Sequence, residues 1–326
     1  MNVLITGGAG FIGSHLAQGL LDQGHKVEVL DDLSTGRTEN LKPLLEQPGY
    51  QMTQGSILDV PALEPLVERA DLIYHLAAAV GVELVVDRLI YTLETNTSGT
   101  QNVIHAAQKY GGKKVILASS SEVYGNSDKI PYREDNDVAV GPTSVGRWGY
   151  ACSKMLDEFL ALAYHKEKGL PVVVLRLFNT VGPRQRGRYG MVVPRFVSQA
   201  LKNEPITVYG DGAQSRCFTY IDDVVKAAID IAQVPKAEGQ VFNVGSSHET
   251  TINQLATTVI ETLNSTSEIL HLSYKEGYGA DFEDIRRRVP DISKIQQYVN
   301  FEPTTDLPWI ISQVASSQGL EPEGLE

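Results

Sequence analysis

Met1-Asn-Val-Leu-Ile-Thr-Gly-Gly-Ala-Gly-Phe-Ile-Gly-Ser-His15 opens the chain, and its reading decides how everything after it is arranged. Val3, Leu4 and Ile5 have the length and branching of a buried parallel strand. Gly7, Gly10 and Gly13 follow at three-residue spacing, and Leu16, Leu20 and Leu21 then mark one face of a helix. Glycine suits such a turn because it tolerates unusual dihedrals and lets backbone N–H groups approach a phosphate. The helix N-terminus adds its partial positive charge to the diphosphate of a dinucleotide. The spacing is G-x-x-G-x-x-G rather than G-x-G-x-x-G, and either pattern alone is weak. Here it lies between a strand and a helix, and a second strand over residues 26–30 runs into Asp31. A carboxylate there accepts hydrogen bonds from an adenosine ribose and repels a 2′-phosphate, which favours NAD over NADP.

The strand–helix alternation continues to about residue 175 and predicts a doubly wound parallel α/β sheet, helices on both faces. Ser34-Thr35-Gly36-Arg37 reads as a loop over the cofactor phosphates, and Ser56-Ile57 falls near where an adenine would lie. A strand over residues 71–76 ends in His75-Leu76-Ala77-Ala78, whose small residues let a cofactor pass close to the backbone. His75 itself reads as a packed strand-end residue. A helix over 95–110 carries Asn96, and a strand over 114–118 runs into Ser119-Ser120-Ser121-Glu122. Residues 126–149 read as loop, 150–168 as helix, and 171–177 as strand. Beyond, the elements shorten, with a strand over 241–244 returning towards the main sheet. The expected organisation is a Rossmann-type NAD-binding domain over 1–180 with a return around 205–245, and a smaller, discontinuous α/β substrate cap over 181–316. Residues 317–326 are expected to be a disordered tail.

Composition narrows the function classes. A formal charge of −12 over 326 residues argues against nonspecific binding to nucleic acid or a membrane surface. No apolar run reaches membrane-spanning length, and the apolar start lacks the basic region and cleavage site of a secretion signal. Two cysteines, Cys152 and Cys217, are too few for a disulfide framework or zinc cluster, so a reducing cytoplasm is expected and no metal is. Cys152 reads as packing.

Tyr150 and Lys154 stand at i,i+4, on one face of a helix. An ammonium beside a phenol is expected to lower its pKa from about 10. The pair then reads as a general base that removes a hydroxyl proton while NAD takes the hydride from the same carbon.

Taken together, the chain resembles the extended short-chain dehydrogenases/reductases of the nucleotide-sugar epimerase/dehydratase/decarboxylase superfamily over roughly residues 1–310. The motifs are Thr6-Gly-Gly-Ala-Gly-Phe-Ile-Gly13, His75-Leu-Ala-Ala78, Asn96, Ser119-Ser-Ser-Glu-Val-Tyr-Gly125, Tyr150-x-x-x-Lys154, Phe178-Asn-Thr-Val-Gly-Pro-Arg184, and Val208-Tyr-Gly-Asp-Gly212 through Arg216-Cys-Phe-Thr-Tyr220. The resemblance implies a tightly held NAD, oxidised and re-reduced within one turnover, and a nucleoside-diphosphate sugar, expected to be a UDP-sugar. It assigns NAD to Gly7, Gly10, Phe11, Ile12 and Gly13; to Asp31, Asp32, Ser34, Thr35 and Gly36; and to Ser56, Ile57, Leu76, Ala77, Ala78, Asn96, Tyr150 and Lys154. Ser120 would bond the sugar O4, while Ser121, Asn179, Val193, Arg216 and Arg286 would hold the substrate. It also suggests a homodimer built on the helices at 95–110 and 150–168.

The reaction is read from what surrounds Glu122. Dehydratases of the superfamily carry Asp-Glu where this chain has Ser121-Glu122, so the acid that expels a hydroxyl is missing; many epimerases have no acid at the Glu122 position. Gly141-Pro-Thr-Ser-Val-Gly-Arg-Trp-Gly-Tyr150 is similar to the segment before the Tyr in bacterial UDP-glucuronate oxidative decarboxylases and plant UDP-apiose/xylose synthases. Arg286-Arg287-Arg288-Val-Pro-Asp291 resembles their Arg-Lys-Pro segment, with Arg288 at the position facing the sugar. The apiose synthases' extra cysteine is absent, Ser121 standing in its place. The expected activity is UDP-glucuronate decarboxylation, with Glu122 and Arg288 added to the catalytic set. The alternative is a UDP-glucose or UDP-glucuronate 4-epimerase; a dehydratase or a non-catalytic NAD-binding regulator ranks below both. Asp31 yields the first test: NAD should bind more tightly than NADP by about 1.5–3 kcal/mol, the worth of a hydrogen bond to a charged group. Equal affinities in calorimetric titrations would overturn it.

Overall fold

The computed structural model describes residues 1–81, 85, 87–187, 191–273 and 285–319. Strand β1 (Asn2–Thr6) leads into helix α1 (Phe11–Asp22), then β2 (Lys26–Asp31), the short α2 (Thr38–Leu41), β3 (Tyr50–Gln54), α3 (Val60–Arg69) and β4 (Leu72–His75). Helix α4 (Leu89–Lys109), β5 (Lys114–Ser120), α5 (Arg147–Lys168) and β6 (Val172–Leu177) follow. The later part holds β7 (Thr180–Val181), α6 (Val192–Leu201), β8 (Ile206–Tyr209), β9 (Ser215–Cys217), β10 (Thr219–Tyr220), α7 (Ile221–Ala232) and β11 (Gln240–Val244). It ends with β12 (Glu249–Thr251), α8 (Ile252–Leu263), β13 (Ile269–Leu272), β14 (Arg287–Arg288), α9 (Ser293–Gln296) and α10 (Leu307–Gln318).

Seven parallel strands form the main sheet in the order β11-β6-β5-β4-β1-β2-β3. Both faces of β1 are covered, which is why Val3, Leu4 and Ile5 are all buried with no polar alternation. Leu16 and Leu20 of α1 pack with Val3 and Ile5 on one face, where α7 also adds Val224 and Ile231. On the other face Leu4 and Ile73 meet Leu63 of α3, Val103 and Ile104 of α4 and Ala161 of α5. The chain reverses direction across the sheet between β1 and β4, leaving a crevice at the carboxyl ends of the strands.

β11 returns to the main sheet as the parallel neighbour of β6. β8 does not; it pairs with β13, and β12-β9-β14 form a third small sheet. Two helices begin earlier than the sequence pattern predicts. α4 starts at Leu89, because Leu89 and Leu93 extend its apolar stripe, and α5 starts at Arg147. α10 continues to Gln318, so part of the expected tail is helical; residues 320–326 lie outside the described residues.

The loop after β5 is held by stacked aromatics. Tyr124 and Tyr132 lie face to face, with ring centroids 4.5 Å apart, and Tyr124 donates to Asn243 on β11. Tyr132 N–H donates to Val289 O at 2.7 Å, and its carbonyl accepts from Asp291 N–H at 2.8 Å. These bonds dock the segment carrying Arg288 against the end of β5. A buried ion pair, Glu158 to Arg176 at 2.7 Å, joins α5 to β6, and the Ser119 hydroxyl donates to the same carboxylate.

Candidate active site

The crevice is framed first by the turn after β1. Gly7 has φ 75°, and a Cβ on it would stand 2.7 Å from Ala77 N, so no other side chain lets β1 and β4 end this close together. Gly7, Gly10, Phe11, Ile12 and Gly13 lie on the wall, as do Leu76, Ala77 and Ala78 from the end of β4. Asp31, Asp32, Ser34, Thr35, Ser56 and Ile57 form the far end. Asp31 is buried, accepting from Ala9 N–H at 2.9 Å and from Leu33 N–H at 2.8 Å; desolvation raises its pKa although both bonds oppose the rise.

Two of the residues expected at the cofactor do not line the crevice. Gly36 is not on the wall; a Cβ there would meet Asp31 Oδ1 at 2.6 Å, so its role is to let the loop close over that carboxylate. Asn96 is fully buried behind the wall. Its Oδ1 accepts from Ala79 N–H at 2.7 Å, and its Nδ2 donates to Ala79 O and to the Ser153 hydroxyl. Its hydrogen-bonding capacity is used on the protein, as a clamp between α4, α5 and the loop after β4. His75 is packed as expected, between the hydroxyls of Thr6 and Thr100.

At the opposite end of the crevice Ser120, Tyr150 and Lys154 come together from the end of β5 and the first turns of α5. The Ser120 hydroxyl hydrogen-bonds the Tyr150 phenol and accepts from Glu122 N–H at 3.2 Å. The expected lowering of the phenol pKa by Lys154 is not what this arrangement produces. Burial pushes the Tyr150 phenol up, and the Glu122 charge pushes it further. The Lys154 ammonium donates to Ala118 O at 3.1 Å and faces Asp157 Oδ2 at 3.3 Å.

Glu122 lies between two guanidinium groups. Arg288 Nη1 is 2.5 Å from Oε1 and Arg147 Nη2 is 3.1 Å from Oε2, all three side chains largely buried. Burial alone would raise its pKa; Arg288 first, then Arg147, outweigh it and hold the carboxyl down to about 2. Arg147 lies in the segment before Tyr150 with no role legible in the sequence; no spacing rule links it to Glu122, because the loop between them sets their distance.

Ser121, Asn179, Val193 and Arg216 are also on the wall. Arg216 Nη1 is anchored by Ser215 O at 2.7 Å and Ile285 O at 2.8 Å. Asn179 Oδ1 is buried without a partner, and so is Nη1 of Arg184, a residue at φ 69° whose side chain also lines the crevice. Such orphans are paired when a polar ligand fills the space. Arg286 corrects an expectation: its side chain is exposed, pairs with Asp211 at 2.8 Å, and is off the wall. It precedes β14 at a bend, so strand alternation does not carry it to the Arg288 side. A glycine-lined turn, a buried ribose-side carboxylate and orphaned polar atoms fit a dinucleotide with a second phosphorylated ligand. Among the described residues, no cluster of His, Cys, Asp and Glu could hold a metal, and no helix is long and apolar enough to cross a membrane.

The model of the NAD dependent epimerase/dehydratase family matches residues 3–245. A UDP-N-acetyl-alpha-D-glucosaminuronate decarboxylase of Bacillus cytotoxicus is 43% identical over 301 residues, 92% of each chain. UDP-glucuronic acid decarboxylase 1 of Xenopus tropicalis is 37% identical over 94% of this chain and 69% of its own. Among solved structures, UDP-glucuronic acid 4-epimerase from Bacillus cereus, with UDP-glucuronic acid and NAD, superposes with a TM-score of 0.86 at 29% identity, covering 98% of this chain and all of its own. UDP-glucose 4-epimerase from Thermotoga maritima, with UDP-glucose, gives 0.88 at 31%, with the same coverage.

The placement of Asn96 has a measurable consequence. Asn96→Ala orphans the Ala79 N–H in the interior, and should lower unfolding free energy by about 1–3 kcal/mol. Urea denaturation checks this; a loss below a few tenths would mean the clamp does not bear on the fold.

Proposed function

The chain belongs to the NAD dependent epimerase/dehydratase family, and on that premise we propose that it is a UDP-hexuronate decarboxylase with UDP-glucuronate as its substrate. The observation that carries the reading is Glu122, fixed as an anion between Arg147 and Arg288 and facing Tyr150. The decarboxylase names of the Bacillus and Xenopus relatives support it.

Gly7, Gly10 and Gly13 with the N-terminus of α1 would hold the NAD diphosphate, and Asp31 the adenosine ribose. NAD held there would supply the hydride acceptor for sugar C4. Tyr150, ionised to the phenolate, removes the O4 proton and becomes the phenol, its oxygen hydrogen-bonded by Ser120. Oxidation turns the uronate into a β-keto acid: the bond from C5 to the carboxylate breaks, CO2 leaves, and the electron pair moves onto the C4 carbonyl as an enolate. A proton would then return to C5, and return of the hydride to C4 would leave no net oxidation.

Arg288 and Arg147 draw a carboxylate into the site, while Glu122 keeps the pocket from pairing that carboxylate too well. Guanidinium pairing alone stabilises the ground state and slows CO2 loss; an adjacent fixed anion offsets this until the charge departs. Asn179 and Arg216 would take the nucleoside diphosphate. The alternative is a 4-epimerase that keeps the carboxylate, and the superposed 4-epimerase structures favour it.

One experiment separates the two: single-turnover incubation of the NAD-loaded protein with UDP-glucuronate and, in parallel, UDP-N-acetylglucosaminuronate, following NADH absorbance and CO2 separately. Wild-type protein should release CO2. Tyr150→Phe should slow NADH formation about 10²–10⁴-fold, the worth of a positioned general base. Glu122→Gln and Arg288→Ala should block CO2 release while NADH still forms. Formation of UDP-galacturonate without CO2 would overturn the decarboxylase and leave the epimerase.

We further propose a homodimer through α4 and α5, which pack side by side and expose Ile90, Leu156 and Phe159 at 74%, 54% and 69%. Sedimentation at micromolar concentration should give a dimer, and Phe159→Glu a monomer; a monomeric wild type would refute this. A reducing cytoplasm suits the two free thiols, Cys152 and Cys217.

A further inference from the structure

Behind the crevice lies an acid that the reaction above does not use. Asp157 is one helical turn beyond Lys154 on α5, 1% exposed, with Oδ2 3.3 Å from the Lys154 ammonium. It is not on the crevice wall. Its other bond is to the Thr100 hydroxyl on α4, which also meets His75 Nε2 at 3.0 Å. A buried acid ion-paired with the lysine one helical turn beyond a candidate base is placed to act on chemistry it never contacts.

We propose that Asp157 is a positioning residue whose carboxylate, held against the Lys154 ammonium, sets the pH at which the Tyr150–Lys154 couple becomes a base. The proposal rests on the reading of Tyr150 as the group that removes the O4 proton. Two neighbours that lose a proton together titrate as a pair, and the charge around the pair decides where. After the first proton leaves, the couple exists either as phenolate with ammonium or as phenol with amine. Removing a nearby negative charge favours both forms, so the direction of the effect does not depend on which predominates.

The other groups facing this centre do not cancel Asp157. On its own helix, Glu158 is paired with Arg176 of β6. From β4, His75 is fully buried and held neutral, chiefly by desolvation and then by Lys154, with its pKa down to about 3. From β5, Ala118 offers only its carbonyl to the ammonium. At the crevice end Glu122 raises the phenol pKa and Arg288 lowers it, while Asp157 acts in the same direction as Glu122. Asp157 ionises less readily than a free carboxyl, because of burial, with Lys154 and the Thr100 bond opposing.

The test is Asp157→Asn, which keeps the shape and the Thr100 bond but removes the charge. In NAD-loaded protein, the acid limb of the pH dependence of NADH formation from UDP-glucuronate should move about one pH unit lower. On the acid side of the limb the rate should rise about tenfold. In a Lys154→Met background the same change should move the limb much less, since the effect runs through the couple. A second measurement needs no turnover: NMR of ring-carbon-labelled tyrosine in the protein saturated with NAD and UDP, the Tyr150 signal identified by its loss in Tyr150→Phe. Its titration midpoint should fall in Asp157→Asn. A folded Asp157→Asn protein with an unmoved midpoint, whatever its melting temperature, overturns the proposal and leaves Asp157 a structural ion pair. If the midpoint moves but no uronate reduces the NAD, the substrate reading fails and this inference stands.

Discussion

A carboxylate taken out of water must be given a counter-charge, and Glu122 draws three distant stretches of the chain together to obtain it. It comes from the turn after β5, Arg147 from the start of α5, and Arg288 from β14 near the end of the chain. Much of the attachment of the later part of the chain serves this meeting. The stacked Tyr124 and Tyr132 fix the loop between Glu122 and Arg147, and backbone bonds from Tyr132 to Val289 and Asp291 set the depth at which Arg288 enters. Both guanidiniums converge on the one carboxylate at the crevice wall.

The same logic of paired buried charges runs along α5. Glu158 holds Arg176 and the Ser119 hydroxyl, anchoring the helix to β5 and β6, while one residue earlier Asp157 holds Lys154. The first pair is a fastening that reaches the crevice only through the Ser119 hydroxyl. The second stands directly behind the crevice, so its charge is felt by Tyr150. Adjacent residues on one helix form the two ion pairs, and the difference lies in what the cationic partner faces.

Some residues that look functional serve the frame. Asn96 spends its amide on Ala79 and Ser153, Gly36 makes room beside Asp31, and Arg286 answers Asp211 at the surface. Each lies in or beside a motif whose neighbours do reach the crevice, and each is turned aside by a nearer partner. Residue type and motif membership place a side chain in the neighbourhood of a site; hydrogen-bond competition decides whether it faces inward.

The sequence by itself determined the sheet, its parallel sense, the glycine turn and the carboxylate at the end of β2, because these follow from periodicity and from local backbone demands spanning a few residues. It also brought Tyr150 and Lys154 to one helix face, since i,i+4 spacing is enough for that. Only the tertiary structure decided that Arg147 reaches Glu122, that Lys154 is engaged by Asp157, and that the Tyr150 phenol is pushed up in pKa. Those outcomes depend on burial and on charges brought within a few ångströms by loops and strands far apart in the chain. Electrostatic energy varies with distance and with the surrounding dielectric. Neither is written in the spacing of residues along the chain.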